Sequence, residues 1–534
     1  MRTAILLSLA LGLGGCGWDL PDNHRYAVGP LWDAADVAPV GDGVYVRLAA
    51  GGQLVRVRPD GATVVDLGVG SVEHMQPTPD GSKLVAFVRY YSCEAPDPRE
   101  IRGVKRVEDC PGEYLDVRSE VTVVEDGDSG AVVATRIPVD THYNAVTFSA
   151  DSRWAIAWLD ASLGLDLDRV GVVDLTSVLV LDLAGSGAEA ATPVSVGFGA
   201  DRVLFTEDGS RAIVLSKDAV ASVDLTGDAP QRGTRYPLTL DADQQITPVG
   251  VQLTQDGQYA LITAAGQDDL YALRLSRPAI NLISLSGSPA AMALVPDLND
   301  DEVPEDKTVI VHGVTPVVDV VDHDTFDVES FELDEGMNRI AQAGRRSVLW
   351  SNAGQKDIYV LDHDTDELVE LRLENPAVDL QITPDQQFAV ALTRPEGSFS
   401  EDLQGLYDRS PVLEILEIGS DRGGSSAAKL LDGLGVGMAF DQSDTRLDLL
   451  VLQQDQDYLY QLDLYTDRHE EIDITAPPVD IGTLPAGGFW ISHDAGLGLI
   501  SFYDPQTGEL SEVGGFAAAG WRDGTLLEDA EEGE

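Results

Sequence analysis

The sequence predicts an all-β fold built from tandem copies of one small unit. A turn followed by an apolar, β-prone run recurs as TPDGSKLVAF, SADSRWAIAW, TEDGSRAIVL, TQDGQYALIT and TPDQQFAVAL, starting at residues 78, 149, 206, 254 and 383. No amphipathic helical stretch of useful length interrupts these copies. Recurrence of one supersecondary unit indicates a repeat architecture.

Each copy opens with Ser or Thr, one further residue, and then Asp. Such short polar side chains bond the backbone of their own turn, and glycine at 81, 209 and 257 permits a positive φ there. The apolar run that follows suits a strand buried on both faces. We therefore expect a tight turn and then a buried strand in every copy. The aspartates are Asp80, Asp151, Asp208, Asp256 and Asp385.

When the spacing of this turn is used to divide the chain, it gives ten units of four strands each. Most units are about 40–50 residues long, which is the period typical of propeller blades. Two copies of Asp-His-Asp-Thr, at 322–325 and 362–365, mark equivalent turns between a third and a fourth strand. The units are expected to begin near Val37, Val72, Ala145, Asp201, Val249, Ala291, Asn338, Val378, Val436 and Val479.

Four-stranded units in tandem resemble the blades of a β-propeller. The S/T-P-D-G-x-x-hydrophobic motif is similar to the WD40-like repeat of periplasmic propellers and to YVTN-type surface propellers. The resemblance implies a propeller over residues 37–519. Ten units exceed the usual four to eight blades. We expect a single ring; two smaller rings, a miscount of one or two units, and an array of β-sandwiches are the alternatives.

The start of the chain predicts export. A short positive head precedes an apolar run at 4–13, which is too short to span a bilayer as a permanent helix. The run ends in LGGC, which resembles the bacterial lipobox. That resemblance implies a signal peptide over 1–15, lipidation of Cys16 and a tether over 16–36. An ordinary secretory signal with a chance cysteine is the alternative.

The residue after the lipobox cysteine bears on location. Gly17 stands where the inner-membrane retention rule of some enterobacteria looks for Asp, so the resemblance implies the outer membrane by default. No later segment approaches 18 uninterrupted apolar residues, and we expect lipid to be the sole anchor. The sequence thus predicts a protein of the bacterial cell envelope.

The charge balance excludes some partners. The chain carries 91 acidic and 35 basic residues, a net charge of −56, which repels nucleic acid and anionic lipid head groups. Aromatic residues make up only 6%, so a large carbohydrate-stacking platform is not indicated. The last residues, 520–534, are expected to form an acidic, disordered tail.

Two cysteines follow the lipidation site, Cys93 and Cys110, both in one polar segment. In an oxidising compartment such a pair predicts a disulfide, with two free thiols or half of a metal site as alternatives. The enclosed stretch reverses the local charge and is a candidate contact for an anionic partner. Pairing with the protein's own acidic surface is the alternative. The basic residues are Arg99, Arg102, Lys105 and Arg106.

Three long insertions, at 92–118, 160–177 and 395–410, each fall between the second and third strands of their unit. In a propeller these loops emerge on the same side as the links between blades. We therefore expect the three insertions to crown one face, as functional loops on a rigid scaffold do.

An acidic loop, PDLNDDEVPED at 296–306, is a candidate metal site on the opposite face. Its residues at positions 1, 3, 5 and 9 resemble the calcium loops of integrin-type propellers, and hard oxygen ligands suit Ca²⁺. Glu302 stands where that family has Gly, and a solvated acidic turn is the alternative. No cofactor besides Ca²⁺ is indicated. The candidate ligands are Asp297, Asn299, Asp301 and Glu305.

Catalytic signatures are missing from the sequence. There is no G-x-S-x-G elbow and no H-E-x-x-H motif. His74 and His142 lie near the starts of first strands and are candidates to converge on a metal in the central channel. The scattered histidines otherwise show no ligand spacing.

Two functions remain. The first is a non-enzymatic, lipid-anchored envelope propeller that binds a protein or other macromolecule. The alternative is a propeller enzyme, a hydrolase or lyase, with its site in the central channel. A channel lined by convergent His, Asp, Glu or Arg would favour the enzyme. A channel lined by apolar or small residues, with the insertions forming a continuous surface, would favour binding.

Overall fold

Ten sheets, each of four antiparallel strands joined in sequence order, make up the chain in a computed structural model. They form a β-propeller with ten blades in one ring. The predicted count of ten units is therefore confirmed, and each first strand begins within one residue of its expected position. The structure describes residues 37–48, 53–65, 67, 71–93, 115–126, 132–160, 174–185, 190–217, 219–227, 229–238, 246–277, 279–296, 306–397, 403–419, 426–493 and 498–516.

The blades follow one another along the chain. Blades 1 to 3 are β1 (Val37–Val40), β2 (Gly43–Leu48), β3 (Gln53–Arg58), β4 (Gly61–Val65); β5 (Ser71–Pro77), β6 (Lys83–Cys93), β7 (Leu115–Asp126), β8 (Val132–Val139); and β9 (Ala145–Phe148), β10 (Trp154–Trp158), β11 (Ser177–Asp182), β12 (Ala191–Ser195). Blades 4 to 6 are β13 (Ala200–Phe205), β14 (Arg211–Ser216), β15 (Ala219–Asp224), β16 (Gln231–Pro237); β17 (Pro248–Leu253), β18 (Tyr259–Ala264), β19 (Asp269–Arg274), β20 (Ala279–Ser284); and β21 (Ala291–Val295), β22 (Lys307–His312), β23 (Thr315–Asp322), β24 (Val328–Glu332).

The remaining four blades complete the ring. Blades 7 and 8 are β25 (Arg339–Ala343), β26 (Arg346–Trp350), β27 (Asp357–Asp362), β28 (Glu367–Arg372); and β29 (Ala377–Ile382), β30 (Phe388–Thr393), β31 (Val412–Glu417), β32 (Ser426–Leu430). Blades 9 and 10 are β33 (Gly435–Gln442), β34 (Leu447–Gln453), β35 (Tyr458–Asp463), β36 (Arg468–Asp473); and β37 (Pro478–Thr483), β38 (Phe489–His493), β39 (Leu499–Asp504), β40 (Glu509–Gly514). One short helix, α1 (Leu403–Arg409), lies between β30 and β31.

The repeated turn has the geometry that its sequence predicts. The Thr254 hydroxyl donates to Asp256 at 2.6 Å and accepts the backbone N–H of Tyr259 at 3.0 Å. Glycine at position 257 has a φ of 64°, whereas Gln386 and Ser152 adopt the same left-handed conformation without glycine. The same hydroxyl-to-aspartate bond forms in the other four copies, at 78, 149, 206 and 383.

Apolar packing between blades holds the ring together. The buried side chains fall into ten clusters, one at each boundary between neighbouring blades. The second and third strands supply most of them, because both faces of these strands are covered. Burial of apolar surface is the main favourable term in folding, so these clusters stabilise the ring.

The ring closes without exchange of strands between its ends. Blade 1 and blade 10 are each built from one continuous stretch of chain. Between them, Leu48 of β2 packs in one cluster with Trp490, Phe502 and Phe516. We call this boundary the seam. Its two blades are held together by packing alone, whereas the two blades at every other boundary are also connected by the chain.

The strand order gives the ring two distinct faces. Turns joining first to second and third to fourth strands lie on one face, which we call the turn face. Loops joining second to third strands and the links between blades lie on the other, which we call the insertion face. The first strands form the inner edge of every blade and the fourth strands the exposed outer edge.

Side chains from third strands fix several links on the insertion face. Asp319 of β23 accepts the backbone N–H of Ser286 at 2.7 Å, in the link before its blade. Tyr359 of β27 accepts the N–H of Asp334 at 3.0 Å, and Glu414 of β31 accepts that of Glu374. A buried backbone N–H needs such a partner. These contacts therefore position the links relative to the blades.

Two details differ from the expected loops. Strands β6 and β7 continue to Cys93 and from Leu115, so the ends of the first insertion are a strand extension paired in register. The third insertion contains helix α1, where no helix was expected. Continued cross-strand pairing satisfies backbone groups that an irregular loop would leave open. Among the described residues, no helix is both long and apolar enough to cross a membrane.

Candidate functional site

The insertion face carries the three long insertions of the propeller. The three insertions connect β6 to β7, β10 to β11 and β30 to β31, each a second strand to a third. The links between blades also lie there, so this face surrounds the mouth of the central channel. It is the most variable surface of the molecule from blade to blade, which is where binding residues on a scaffold are usually found.

A bulge near the start of the first strand recurs in six blades. In blade 9, Gly435 pairs with Gln453 and Gly437 pairs with Leu452, so Val436 has no partner across the ladder. An extra unpaired residue bends its strand and redirects a side chain. All six bulges lie at the insertion-face end of the inner edge. The bulge residues are Glu73, Asp201, Val249, Val378, Val436 and Val479.

Four of these bulge residues are valines held in solvent. Val249 is 49% exposed and Val436 is 53% exposed, and the other two are comparable. Val378, Val436 and Val479 belong to three consecutive blades, 8, 9 and 10. We call these three residues the rim arc. Exposed apolar residues that are grouped, unlike ones scattered singly, are typical of interaction sites.

The rim is polar at blade 2. At the blade 2 bulge, Glu73 accepts from Arg89 at 2.9 Å. The same Arg89 nitrogen lies 3.0 Å and 2.7 Å from the two ring nitrogens of His142, in the link to blade 3. Burial, reinforced by Arg89, lowers the pKa of His142 to about 4. His142 is therefore neutral at physiological pH and serves as a packing and hydrogen-bonding partner.

The channel lining is mixed and mostly uncharged. First-strand residues of intermediate exposure are mainly aliphatic or amide side chains, such as those of β17, β21 and β25. His74 stacks on Phe87, with ring centroids 5.9 Å apart, while His142 bonds Arg89. Within the described part of the chain, no three or more His, Cys, Asp or Glu side chains are grouped to hold a metal.

Several histidines bond hydroxyl groups, but in buried positions. His493 Nδ1 lies 2.8 Å from the carbonyl of Ala476, so its Nε2 accepts from the Ser501 hydroxyl at 2.7 Å. His323 and His363 contact the hydroxyls of Thr308 and Ser347 through Nε2, at 2.8 Å each and at equivalent positions of their blades. All three histidines are almost fully buried. A substrate cannot reach these pairs, and their role is to satisfy buried polar groups.

A buried polar cluster lies under the insertion face in blade 6. Asp319 accepts from His312 Nε2 at 2.9 Å and from the hydroxyls of Ser286 and Ser330 at 2.7 Å each. Burial alone would raise the pKa of Asp319, but the bonds from His312 and the two serines outweigh it and lower the pKa to about 2. The cluster fixes a link: Asp319 and His312 are buried, whereas Ser286 and Ser330 lie at the surface.

A cleft of about 400 Å³ opens on the turn face between blades 4 and 5. It is lined by turn residues such as Asp208, Arg211 and Asp256. These aspartates already accept the bonds that define their turns. The cleft is therefore a consequence of two adjacent turns, whose aspartates are already engaged.

Most residues singled out from the sequence lie outside the described residues. These include Cys16, Cys110, the basic residues Arg99, Arg102, Lys105 and Arg106, and the acidic residues Asp297, Asn299, Asp301 and Glu305. The backbone of Cys93 ends β6, opposite Leu115. At the end of the acidic loop, Asp306 accepts from His323 at 2.6 Å and from the backbone of Gln255 at 3.0 Å.

Sequence reasoning missed the bulges of the rim. A sequence signal for them does exist. In blades 5, 8, 9 and 10 the first strand opens with the same four-residue pattern: a small residue or Pro, then Val, then Gly or Asp, and then an apolar residue. The four stretches are PVGV, AVDL, GVGM and PVDI. Each was interpreted as a strand start, since Val is a strand former at any position.

Comparison with known proteins shows a similarity of fold and nothing further. No protein-family model and no curated protein matches the sequence. Among solved structures, hydrazine synthase of Kuenenia stuttgartiensis is 16% identical, covering 58% of this chain and 94% of that one, with a TM-score of 0.33. Dihydro-heme d1 dehydrogenase NirN in complex with DHE is 13% identical, covering 68% and 72%, with a TM-score of 0.42. Apo AztD from Citrobacter koseri is 15% identical, covering 64% and 92%, with a TM-score of 0.36.

These three structures carry no functional argument for this chain at such identities. The protein is thus a ten-bladed β-propeller whose activity must be inferred from its own residues.

Proposed function

We propose that this chain is a lipid-anchored protein of the bacterial cell envelope that binds a macromolecular partner, without catalysis, through its insertion face. One observation carries the proposal: the exposed bulge valines and all three insertions occur on the same face of the ring. A partner that contacts this face would meet apolar groups at the channel mouth and polar loops around it, the usual division of an interface into core and rim.

The charge of the chain narrows the class of partner. A net charge of −56 disfavours nucleic acid and anionic lipid, so a protein or another envelope macromolecule is the proposed ligand. The stretch that contains Arg99 and Arg106 is the one place where the sequence groups basic residues against this background. An anionic patch on the partner would pair with it, and that contact would weaken with added salt.

The experiment is a partner pull-down from envelope extracts with the full chain as bait. Val436→Ser combined with Val479→Ser should reduce capture of the partner. Leu282→Ser is the matched control, because Leu282 is 62% exposed but lies on the outer edge of blade 5. Equal capture by all three baits would overturn the proposed face. Turnover of a substrate by the purified chain would instead support the enzymatic alternative.

The anchor is tested separately. Cys16→Ser should release the protein from the membrane fraction, because it removes the thiol that would carry the lipid. A variant that stays with membranes after a high-salt wash would disprove the lipoprotein assignment.

Calcium is a second, independent part of the proposal. Asp297, Asn299, Asp301 and Glu305 supply oxygen ligands at alternate positions, the pattern that suits Ca²⁺. Ca²⁺ in hundredfold excess over its dissociation constant would stabilise the fold by about 2.7 kcal/mol. Melting should therefore respond to chelation in the parent and not in Asp297→Ala with Asp301→Ala; identical melts of the parent with and without chelator would remove the site.

The cysteine pair is the last part. We propose that Cys93 and Cys110 form a disulfide that holds the basic stretch between them. Mass spectrometry of unreduced peptides tests this directly, and recovery of both peptides as free thiols would refute it.

A further inference from the structure

The rim arc has a neighbour that the chain itself provides. Blade 1 follows blade 10 in the ring, and Val37 begins β1, the inner strand of blade 1, at its insertion-face end. Val37 packs in the same cluster as Trp490 of blade 10. The described chain therefore begins at the inner edge of blade 1, beside blade 10 and on the same face as the rim arc.

The composition of the segment that precedes Val37 suits an apolar surface. Three of its twenty residues, 17–36, are aromatic, against 6% of the whole chain. Leu31 and Trp32 are adjacent and stand six and five residues before Val37, respectively. A stretch of five residues spans at most about 17 Å, a length on the scale of the packing distance between two neighbouring sheets, about 10 Å.

The other end of the described chain leaves from a different place. Phe516 follows β40, the outer strand of blade 10, and is itself buried in the seam. The described chain thus ends after the outer strand of blade 10, whereas it begins with the inner strand of blade 1. The rim also differs around the ring: blades 2 and 4 have Glu73 and Asp201 at the bulge, where blades 8 to 10 have valine.

We propose that residues 17–36 dock on the rim arc, with Leu31 and Trp32 packed against Val436 and Val479. Because the segment is tethered beside its site, a few apolar contacts suffice: its effective concentration is in the millimolar range for a short linker. The docked segment covers the apolar part of the channel mouth. It deepens the proposed function, since an external partner that uses the insertion face must displace it.

The test measures accessibility of the arc in the absence of any partner. In the full chain, Val436→Cys reports on the arc and Val249→Cys is its matched control, a bulge valine of nearly equal exposure in blade 5. Both are labelled with a maleimide and quantified by peptide mass spectrometry, so that Cys16, Cys93 and Cys110 do not interfere. Melting curves verify that each variant is folded.

Docking predicts that Val436→Cys reacts about tenfold more slowly than Val249→Cys, as for a site occupied about nine-tenths of the time. Adding Leu31→Ser and Trp32→Ser should bring the two rates together, whereas Trp521→Ser should change neither. Equal rates without those changes would overturn the proposal. If Trp521→Ser abolishes the protection, the C-terminal segment covers the arc and the proposal is wrong. If dilution abolishes it, a second copy of the chain covers the arc, and the proposal is again wrong. Because no partner is present, this outcome is separable from that of the pull-down.

Discussion

The two faces of the ring are built by different means. On the turn face, five blades repeat one motif in which a Ser or Thr hydroxyl bonds an Asp two residues later, at 2.6–2.7 Å each time. On the insertion face, each blade is individual: six have bulges, three carry insertions, and the links are held by different side chains, such as Asp319, Tyr359 and Glu414.

This difference shows how one scaffold separates folding from recognition. Contacts within four or five residues of sequence fix the turn face, so it can repeat without change. The insertion face is fixed from a distance, by third strands reaching to links. A surface held in this way tolerates variation at its loops while its supports stay buried. Substitutions on the two faces should therefore have different costs.

The largest effect is expected at a buried support of the insertion face. Asp319→Ala should lower the free energy of unfolding by about 3–5 kcal/mol, because it leaves the buried His312 without its acceptor and releases the N–H of Ser286. Urea unfolding measures the loss, and Asp324→Ala, at an exposed turn position, is the control. A loss below about 1 kcal/mol would show that the supports are dispensable.

The same substitution has a pH signature. The pKa of Asp319 is about 2 in the folded protein, below the ordinary value of about 3.9. Its contribution is therefore complete above the ordinary value and is lost as the pH falls through 2. The stability gap between parent and variant should narrow over that interval.

A second support should act in the opposite pH direction. Burial raises the pKa of Glu414 to about 7, so the folded carboxyl keeps a proton that the unfolded chain releases above about pH 4.3. Stability should fall as the pH rises from that value through 7, by about 3 kcal/mol in all. Glu414→Gln should abolish this slope. Parallel stability curves for parent and variant between pH 5 and 8 would contradict the assignment.

A turn-face substitution should cost less. Thr254→Val keeps the shape of the side chain but removes the acceptor for the Tyr259 N–H and the donor to Asp256. We expect a loss of about 1–3 kcal/mol, the usual cost of a buried group left unsatisfied. Thr226→Val, in an exposed turn, is the control in the same unfolding assay. A cost equal to that of Asp319→Ala would remove the contrast between the faces.

The smallest effect on stability is expected at the rim arc. Val436→Ser should change the free energy of unfolding by no more than about 0.5 kcal/mol, because the side chain is half exposed and lies at an unpaired position. We expect the variant to keep the melting temperature of the parent and to capture less of the partner. A variant that melts well below the parent would make Val436 a structural residue.

The fold could be predicted from the sequence because the residues that determine it are close together in the chain. Thr206, Asp208 and Gly209 specify a turn by themselves, and the apolar run after them specifies a buried strand. Repetition then supplied the blade count. Even the strand starts emerge within one residue, because each follows a turn or link at a regular distance.

The candidate site was harder to predict from the sequence, because its geometry depends on contacts between residues that are far apart in the chain. Val378 is an ordinary strand residue in sequence, and it becomes a bulge only through the pairing of its neighbours with Leu392 and Thr393. Asp319 bonds Ser286, which lies 33 residues earlier. Nothing in the local sequence indicates the bond of Asp319, and the AVDL stretch around Val378 becomes a signal only when it is compared with the equivalent stretches of blades 5, 9 and 10. The predicted disulfide, calcium loop and basic stretch stay predictions, since they lie mainly outside the described residues.

The seam has a consequence for how the ring forms and opens. Leu48 and Phe516 pack together although nearly the whole propeller separates them in sequence, so their contact closes a far larger loop than that of any other boundary. Closing it costs about 5 kcal/mol of chain entropy by the logarithmic law for flexible loops, and contacts at such separation form late in folding. The nine linked boundaries are spared this cost. Partial opening of the native ring should therefore begin at the seam, whose hydrogen-exchange protection should be the lowest among the ten boundaries.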